Sequence, residues 1–208
     1  MREAPMTISA KKKFELHHSR WSGGITTQLA IWPAGADYAS RDFQWRISSA
    51  VVEEESSVFT HLPGVRRCLM TLSGELSLVY DGTEKIHMTP LRDVFRFDGG
   101  KETTSAGRCV DFNLMLCGGF RGDIGPLNAQ IAVHLPSGDS DLFWYGIYFT
   151  ADAEASVRYK GYRVDLSRNK GDFVLITYRP ALCGAVTLSL SSEDEVPAVF
   201  ASVWREKE

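Results

Sequence analysis

The stretch ELSLVYDGTEKIHM, residues 75–88, decides the fold class. Two alternating runs flank Asp81-Gly82, a pair suited to the positive φ angles of a tight hairpin turn. Leu76, Leu78 and Tyr80 fall on one face of the first run, and Ser77 and Val79 on the other. A period of two is what a half-buried strand requires. The same grammar continues outward in both directions. Runs rich in Val, Ile, Phe, Tyr, Trp and Thr stand at 43–52, 65–72, 93–98 and 110–116, then at 130–135, 142–150, 172–178 and 198–204. Turn signals such as Pro33-Ala-Gly35, Pro63-Gly64, Asp98-Gly99-Gly100 and Asn169-Lys-Gly171 punctuate them. Only 151–158 offers helix formers, enough for about two turns, and it reads either as one short helix or as an irregular strand. Many short strands predict an all-β sandwich or barrel. The 208 residues exceed one small barrel, and GGFRGDIGPLN (118–128) interrupts the strand pattern. The expectation is two β-barrel halves packed together, residues 1–120 and 121–208.

Composition excludes several partners. The 23 basic residues against 26 acidic are scattered rather than clustered, so no nucleic-acid footprint is expected. No apolar run approaches the length of a membrane span, and the first residues lack the apolar core of a secretory signal. Lys11-Lys12-Lys13 reads as a solvated strand entry, and the acidic SSEDE (191–195) as a solvated turn. Cys68, Cys109, Cys117 and Cys183 form no C-x-x-C pair and sit mostly within apolar runs, as reduced, buried thiols do. A soluble cytoplasmic protein is expected.

Chemistry narrows next. His17, His18, His61, His87 and His134 include no His-x-His pair, and neighbouring His17 and His18 would face opposite sides of a strand. No metal and no cofactor are therefore expected. A nucleophile elbow, a P-loop and G-x-G-x-x-G are all missing from the sequence. Three strands instead each carry a polar pair at i, i+2 among apolar neighbours. In ITTQLAI these are Thr26 and Gln28, opposite Ile25, Thr27, Leu29 and Ile31. In WRISSA they are Arg46 and Ser48, opposite Trp45, Ile47 and Ser49. In CVDFNLM they are Asp111 and Asn113, opposite Val110, Phe112 and Leu114. Either these faces look at water, or they form the polar inner wall of a barrel. In the second case Arg46 and Asp111 are expected to pair, because unpaired buried charges are costly. A guanidinium left partly free would suit a carboxylate ligand, held bidentately.

The same residues carry a family resemblance. WSGGITTQLAIWP (21–33), FQWRISSA (43–50), VFTHLPGVRRCLMTLSGEL (58–76), VFRFDGG (94–100) and VDFNLMLCGG (110–119) resemble, in order and spacing, the motifs of the HutD/Ves family. The resemblance implies a bicupin, two cupin-like barrels in one chain without the metal-ligand set of cupin enzymes. It also implies a role in regulating histidine utilisation or in binding one of its small acidic intermediates. Its polar positions fall on Trp21, Thr26, Gln28, Trp45, Arg46, Pro63, Gly64, Arg67, Asp111 and Asn113. Gln28 stands where the family often has Glu, and His61 where an apolar residue is common.

Three functions compete. The first is a non-catalytic binder of a small acidic metabolite, using Trp21, Thr26, Gln28, Trp45, Arg46, Ser48, His61, Arg67, Asp111 and Asn113. The second is a metal-independent isomerase or lyase with His61 or Asp111 as general base. The third is a structural or partner-binding protein with filled barrels. A homodimer is among the assemblies expected.

Overall fold

A computed structural model describes residues 4–138 and 140–206. The chain opens with β1 (Met6–Lys11) and a 3-10 turn at Lys13–Glu15. Ten strands follow: β2 (His17–Trp21), β3 (Gly24–Trp32), β4 (Trp45–Val52), β5 (Ser56–Val58), β6 (Arg66–Ser73), β7 (Leu76–Tyr80), β8 (Glu84–Met88), β9 (Phe95–Asp98), β10 (Thr103–Ala106) and β11 (Cys109–Leu116). After β12 (Phe120–Leu127) come β13 (Val133–His134), β14 (Phe143–Phe149), β15 (Ala153–Tyr159), β16 (Tyr162–Arg168), β17 (Phe173–Tyr178), β18 (Val186–Ser191) and β19 (Ala198–Arg205). Among the described residues the only α-helix is the four-residue Pro180–Cys183. The protein is all-β. The hairpin at 75–88 forms, with Tyr80 paired to Glu84 and Asp81 and Gly82 at φ +50° and +75°. The ambiguous segment near 151–158 is a strand: Ala153, Ala155 and Val157 are buried while Glu154 and Arg158 are exposed.

The chain divides into two compact units. Residues 16–125 form one, and the segment before residue 16 joins residues from 126 onward in the other. The first segment belongs there because β1 pairs antiparallel with β17 from Met6↔Tyr178 to Lys11↔Phe173. In that unit β1, β17, β14 and β19 are consecutive neighbours, and a second sheet runs β13-β18-β15-β16. Its core gathers Met6, Phe143, Tyr145, Ile147, Val174, Tyr178, Val186 and Leu188. Buried Asp172 accepts hydrogen bonds from Lys13 N (3.1 Å), Lys12 Nζ (3.2 Å) and Asn169 N (3.2 Å).

The unit 16–125 holds a six-stranded sheet, β2-β3-β4-β11-β6-β9, and a four-stranded sheet, β5-β10-β7-β8. One apolar cluster is Leu69, Leu76, Leu78, Met88, Phe97 and Cys109. A second is Phe43, Leu62, Val65 and Met115. All four cysteines are free thiols, and Cys117 alone is partly exposed. Burial pushes the Cys68 thiol up to about 11 and that of Cys109 up to about 12, which leaves both inert.

Candidate ligand-binding cavity

The six-stranded sheet aligns the polar pairs row by row. Residues directly opposite in an antiparallel ladder share a face. Thr26 pairs with Ala50, Ala50 with Asp111, and Asp111 with Thr71. The next row on this face runs Gln28, Ser48, Asn113, Leu69. The third runs Ile31, Arg46, Met115, Arg67. Two bulges set this register. Leu29 is an extra residue between Gln28↔Ser48 and Ala30↔Ile47, and Leu72 is extra in β6 opposite Val110-Asp111. The strict alternation expected for ITTQLAI is therefore corrected. The bulge at Leu29 reverses the phase and brings Ile31 onto the face of Thr26 and Gln28.

This face lines a cavity of about 270 Å³. Of the expected residues, Trp21, Thr26, Arg46, Ser48, Arg67, Asp111 and Asn113 line it. Gln28 sits behind it and accepts a hydrogen bond from Arg46 Nε at 3.0 Å. Trp45 and His61 are not among the lining residues. Trp45 is one residue out of phase with Arg46, so the pleat turns it to the opposite face, where it is buried. His61 is exposed, in the loop before β6.

The arginines are held differently from the expectation. Arg46 does not ion-pair with Asp111 among the described residues. Four residues along β11 separate the row of Met115 from that of Asp111, about 13 Å of strand. Arg46 instead donates to Gln28 and, through Nη1, to Ser48 Oγ at 3.3 Å, and its guanidinium lies 4.4 Å from the Tyr38 ring centre. Arg41 covers the same ring at 4.1 Å. Arg67 packs its guanidinium 4.8 Å from the Phe59 ring and 5.1 Å from Phe97. Its stem passes Gly99, where a Cβ would stand 3.2 Å from Arg67 Cδ and 2.9 Å from the Val65 carbonyl. Arg67 Nε and Asn113 Oδ1 are buried with no hydrogen-bond partner.

Arg46, Arg67 and Asp111 are 5%, 6% and 8% exposed, and among the described residues they are the only charged ones lining the cavity. Burial lowers both arginines, Arg67 to about 10, so Arg67 keeps its charge at neutral pH; a guanidinium is not deprotonated in proteins. Burial also pushes the Asp111 carboxyl up to about 6, against the pull of Arg67, a hydrogen bond from Ala50 N (3.1 Å), and Arg46. Two cations face one carboxylate, so the cavity carries a net positive charge in low-dielectric surroundings. An anion fits that charge.

Tyr38 and Phe59 escaped the sequence reading. Tyr38 comes from the β3–β4 loop and Phe59 from the stretch after β5, where no periodicity marks a facing direction. Met115 was legible, since it shares the alternation of Asp111 and Asn113. The Trp21-Ser-Gly-Gly motif has a local cause. A Cβ on Gly23 would stand 2.2 Å from the Trp21 ring, which lies over it, and one on Gly24 would stand 1.9 Å from the Val51 carbonyl oxygen.

Among the described residues, no group of three His, Cys, Asp or Glu is placed to hold a metal ion. No helix there is long and apolar enough to cross a membrane. The HutD family model matches residues 13–194. No curated protein matches the chain. Among solved structures, the conserved protein PA5104 of Pseudomonas aeruginosa PAO1 is similar at TM-score 0.75 and 22% identity, covering 97% of this chain and 100% of that one. HutD of Pseudomonas fluorescens SBW25 is similar at TM-score 0.70 and 19% identity, with the same coverage. Oxalate decarboxylase of Bacillus subtilis matches at TM-score 0.56 and 8% identity over 96% of this chain and 77% of that one. At these identities the structural likeness speaks for the fold alone.

Proposed function

The chain belongs to the HutD family, and on that premise we propose that this HutD-type protein of cupin-like fold is a non-catalytic binder of a small carboxylate metabolite. In this reading each compact unit is a cupin-like barrel, so that the chain is a bicupin whose β1 serves the second barrel. The observation that carries the binding function is the pair of buried guanidiniums, Arg46 and Arg67, that line one cavity with a single carboxylate, Asp111. Two buried cations set against one carboxylate are under-compensated, and a bound carboxylate would balance them. Arg46, oriented by Gln28 and Ser48, supplies a second donor group on the same wall. Trp21 and the exposed Val58 border the space. Catalysis is the weaker reading, because His61 does not line the cavity and Asp111 would act without a histidine partner.

The family's link to histidine utilisation makes the acidic intermediates of that pathway the first metabolites to screen. The Pseudomonas fluorescens HutD structure carries the description "Formate condition", so formate is the simplest probe. A carboxylate present at about 100 times its dissociation constant should stabilise the protein by about 2.7 kcal/mol. Arg67→Met keeps the apolar stem and removes the fork. We expect it to weaken binding by at least about tenfold, read by thermal shift and by NMR titration. Absence of stabilisation by formate and by every other small carboxylate would refute this reading.

A further inference from the structure

We infer that an anion enters this cavity together with a proton, taken up by Asp111, so that occupancy strengthens as the pH falls toward the mildly acidic range. The inference rests on the carboxylate-binding reading above and adds to it the way that binding is regulated. The geometry is one carboxylate between two guanidiniums. Arg46 comes from β4, Arg67 from β6 and Asp111 from β11 between them, and no other charged side chain among the described residues lines the space. A sphere of 270 Å³ is about 8 Å across, no more than the Debye length at physiological salt, and buried charges are screened less still. Any anion inside therefore lies within a Debye length of Asp111 as well as of both guanidiniums, and it takes up space next to a carboxylate that is already buried. Like charge and desolvation both favour protonating a carboxyl.

Asp111 is already poised for this. Burial holds it at about 6, even with both arginines attracting its charge. Its Oδ1 accepts from Ala50 N, which leaves Oδ2 as the oxygen to carry the proton. Arg67 stays protonated at about 10 and the Cys109 thiol on its own strand stays neutral at about 12, so neither titrates in the same range. Arg46 lines the same cavity from β4. Tyr38 lines the cavity from the β3–β4 loop, with the Arg41 and Arg46 guanidiniums 4.1 Å and 4.4 Å from its ring centre.

The probe is formate, which stays ionised between about pH 5.5 and about pH 8.5, so that any slope belongs to the protein. The wild-type dissociation constant should be level below about pH 6 and rise by at least about tenfold toward pH 8.5, one unit of raised Asp111 pKa corresponding to a factor of ten. Calorimetry at neutral pH in two buffers of different ionisation enthalpy should register proton uptake on binding. Asp111→Asn keeps the acceptor for Ala50 N and mimics the protonated acid. It should bind formate independently of pH and more tightly than the wild type at the alkaline end. Three results would overturn the inference: wild-type affinity without pH dependence, no proton uptake, or a slope that survives in Asp111→Asn. If formate binds with none of these linkages, only the proton coupling fails. If formate does not bind at any pH, the inference fails at its premise, and the carboxylate-binding reading fails with it when the other small carboxylates also leave the protein unstabilised.

Discussion

Asp111 is the residue on which the stability of the site turns. Its folded-state value of about 6 lies above the ordinary 3.8, and burial is the first cause. Between the two values the folded protein holds a proton that the unfolded chain has released. Stability therefore falls as the pH rises from about 4 to about 6 and is level above that, a loss of about 3 kcal/mol for a shift of about two units. Asp111→Asn removes that loss while keeping the acceptor for Ala50 N. At neutral pH the variant should be more stable than the wild type by up to about 3 kcal/mol, and the two should converge near pH 4. Urea unfolding at both pH values measures it. A variant no more stable than the wild type at neutral pH would show that the Asp111 charge is well solvated or well paired.

At the scale of the element, two bulges and one glycine position the cavity wall. The extra residues Leu29 and Leu72 decide which side chains share a row with Arg46 and Asp111. Gly24 starts β3 opposite Val52, with its Cα so close to β4 that a Cβ would stand 1.9 Å from the Val51 carbonyl oxygen. That neighbour is backbone and cannot swing aside. Gly24→Ala should cost about 2 kcal/mol or more through overpacking. It should also speed amide exchange at the β3–β4 register from Gly24 to Gln28, followed by hydrogen-exchange mass spectrometry. Unchanged stability and protection would mean that the strands separate there at little cost.

The whole molecule divides its labour between two units, and the first segment of the chain completes the later one. β1 covers the edge of β17, adds Met6 and Ile8 to the apolar core, and is tied by Lys12 and Lys13 to buried Asp172. Burial alone would push the Asp172 carboxyl up, but hydrogen bonds from Asn169 N, Lys13 N and Lys12 outweigh it and hold it below the ordinary range. This tie contributes stability above the unfolded-state value and loses it as the pH falls through the folded one. Asp172→Ala should cost about 2–3 kcal/mol at neutral pH, because a charged acceptor is lost and the Lys13 N–H loses its partner. The loss should shrink in acid. Equal thermal midpoints for the variant and the wild type at neutral pH would contradict the role given to this tie.

Sequence alone determined the strand grammar, because alternation and turn chemistry are local. The 75–88 hairpin and the polar faces of β3, β4 and β11 follow from a period of two, and the free thiols from cysteine spacing and apolar surroundings. The family motifs lie along those strands, and seven of the sixteen residues that line the cavity were expected from the sequence. Tertiary structure decided the rest through register. A bulge is one residue with no compositional mark, yet Leu29 moved Ile31 to the other face. The offset between rows kept Arg46 away from Asp111 and set Arg67 on the far side of Met115. The destination of β1 rests on a partner more than 160 residues away, a separation across which no local pattern carries information.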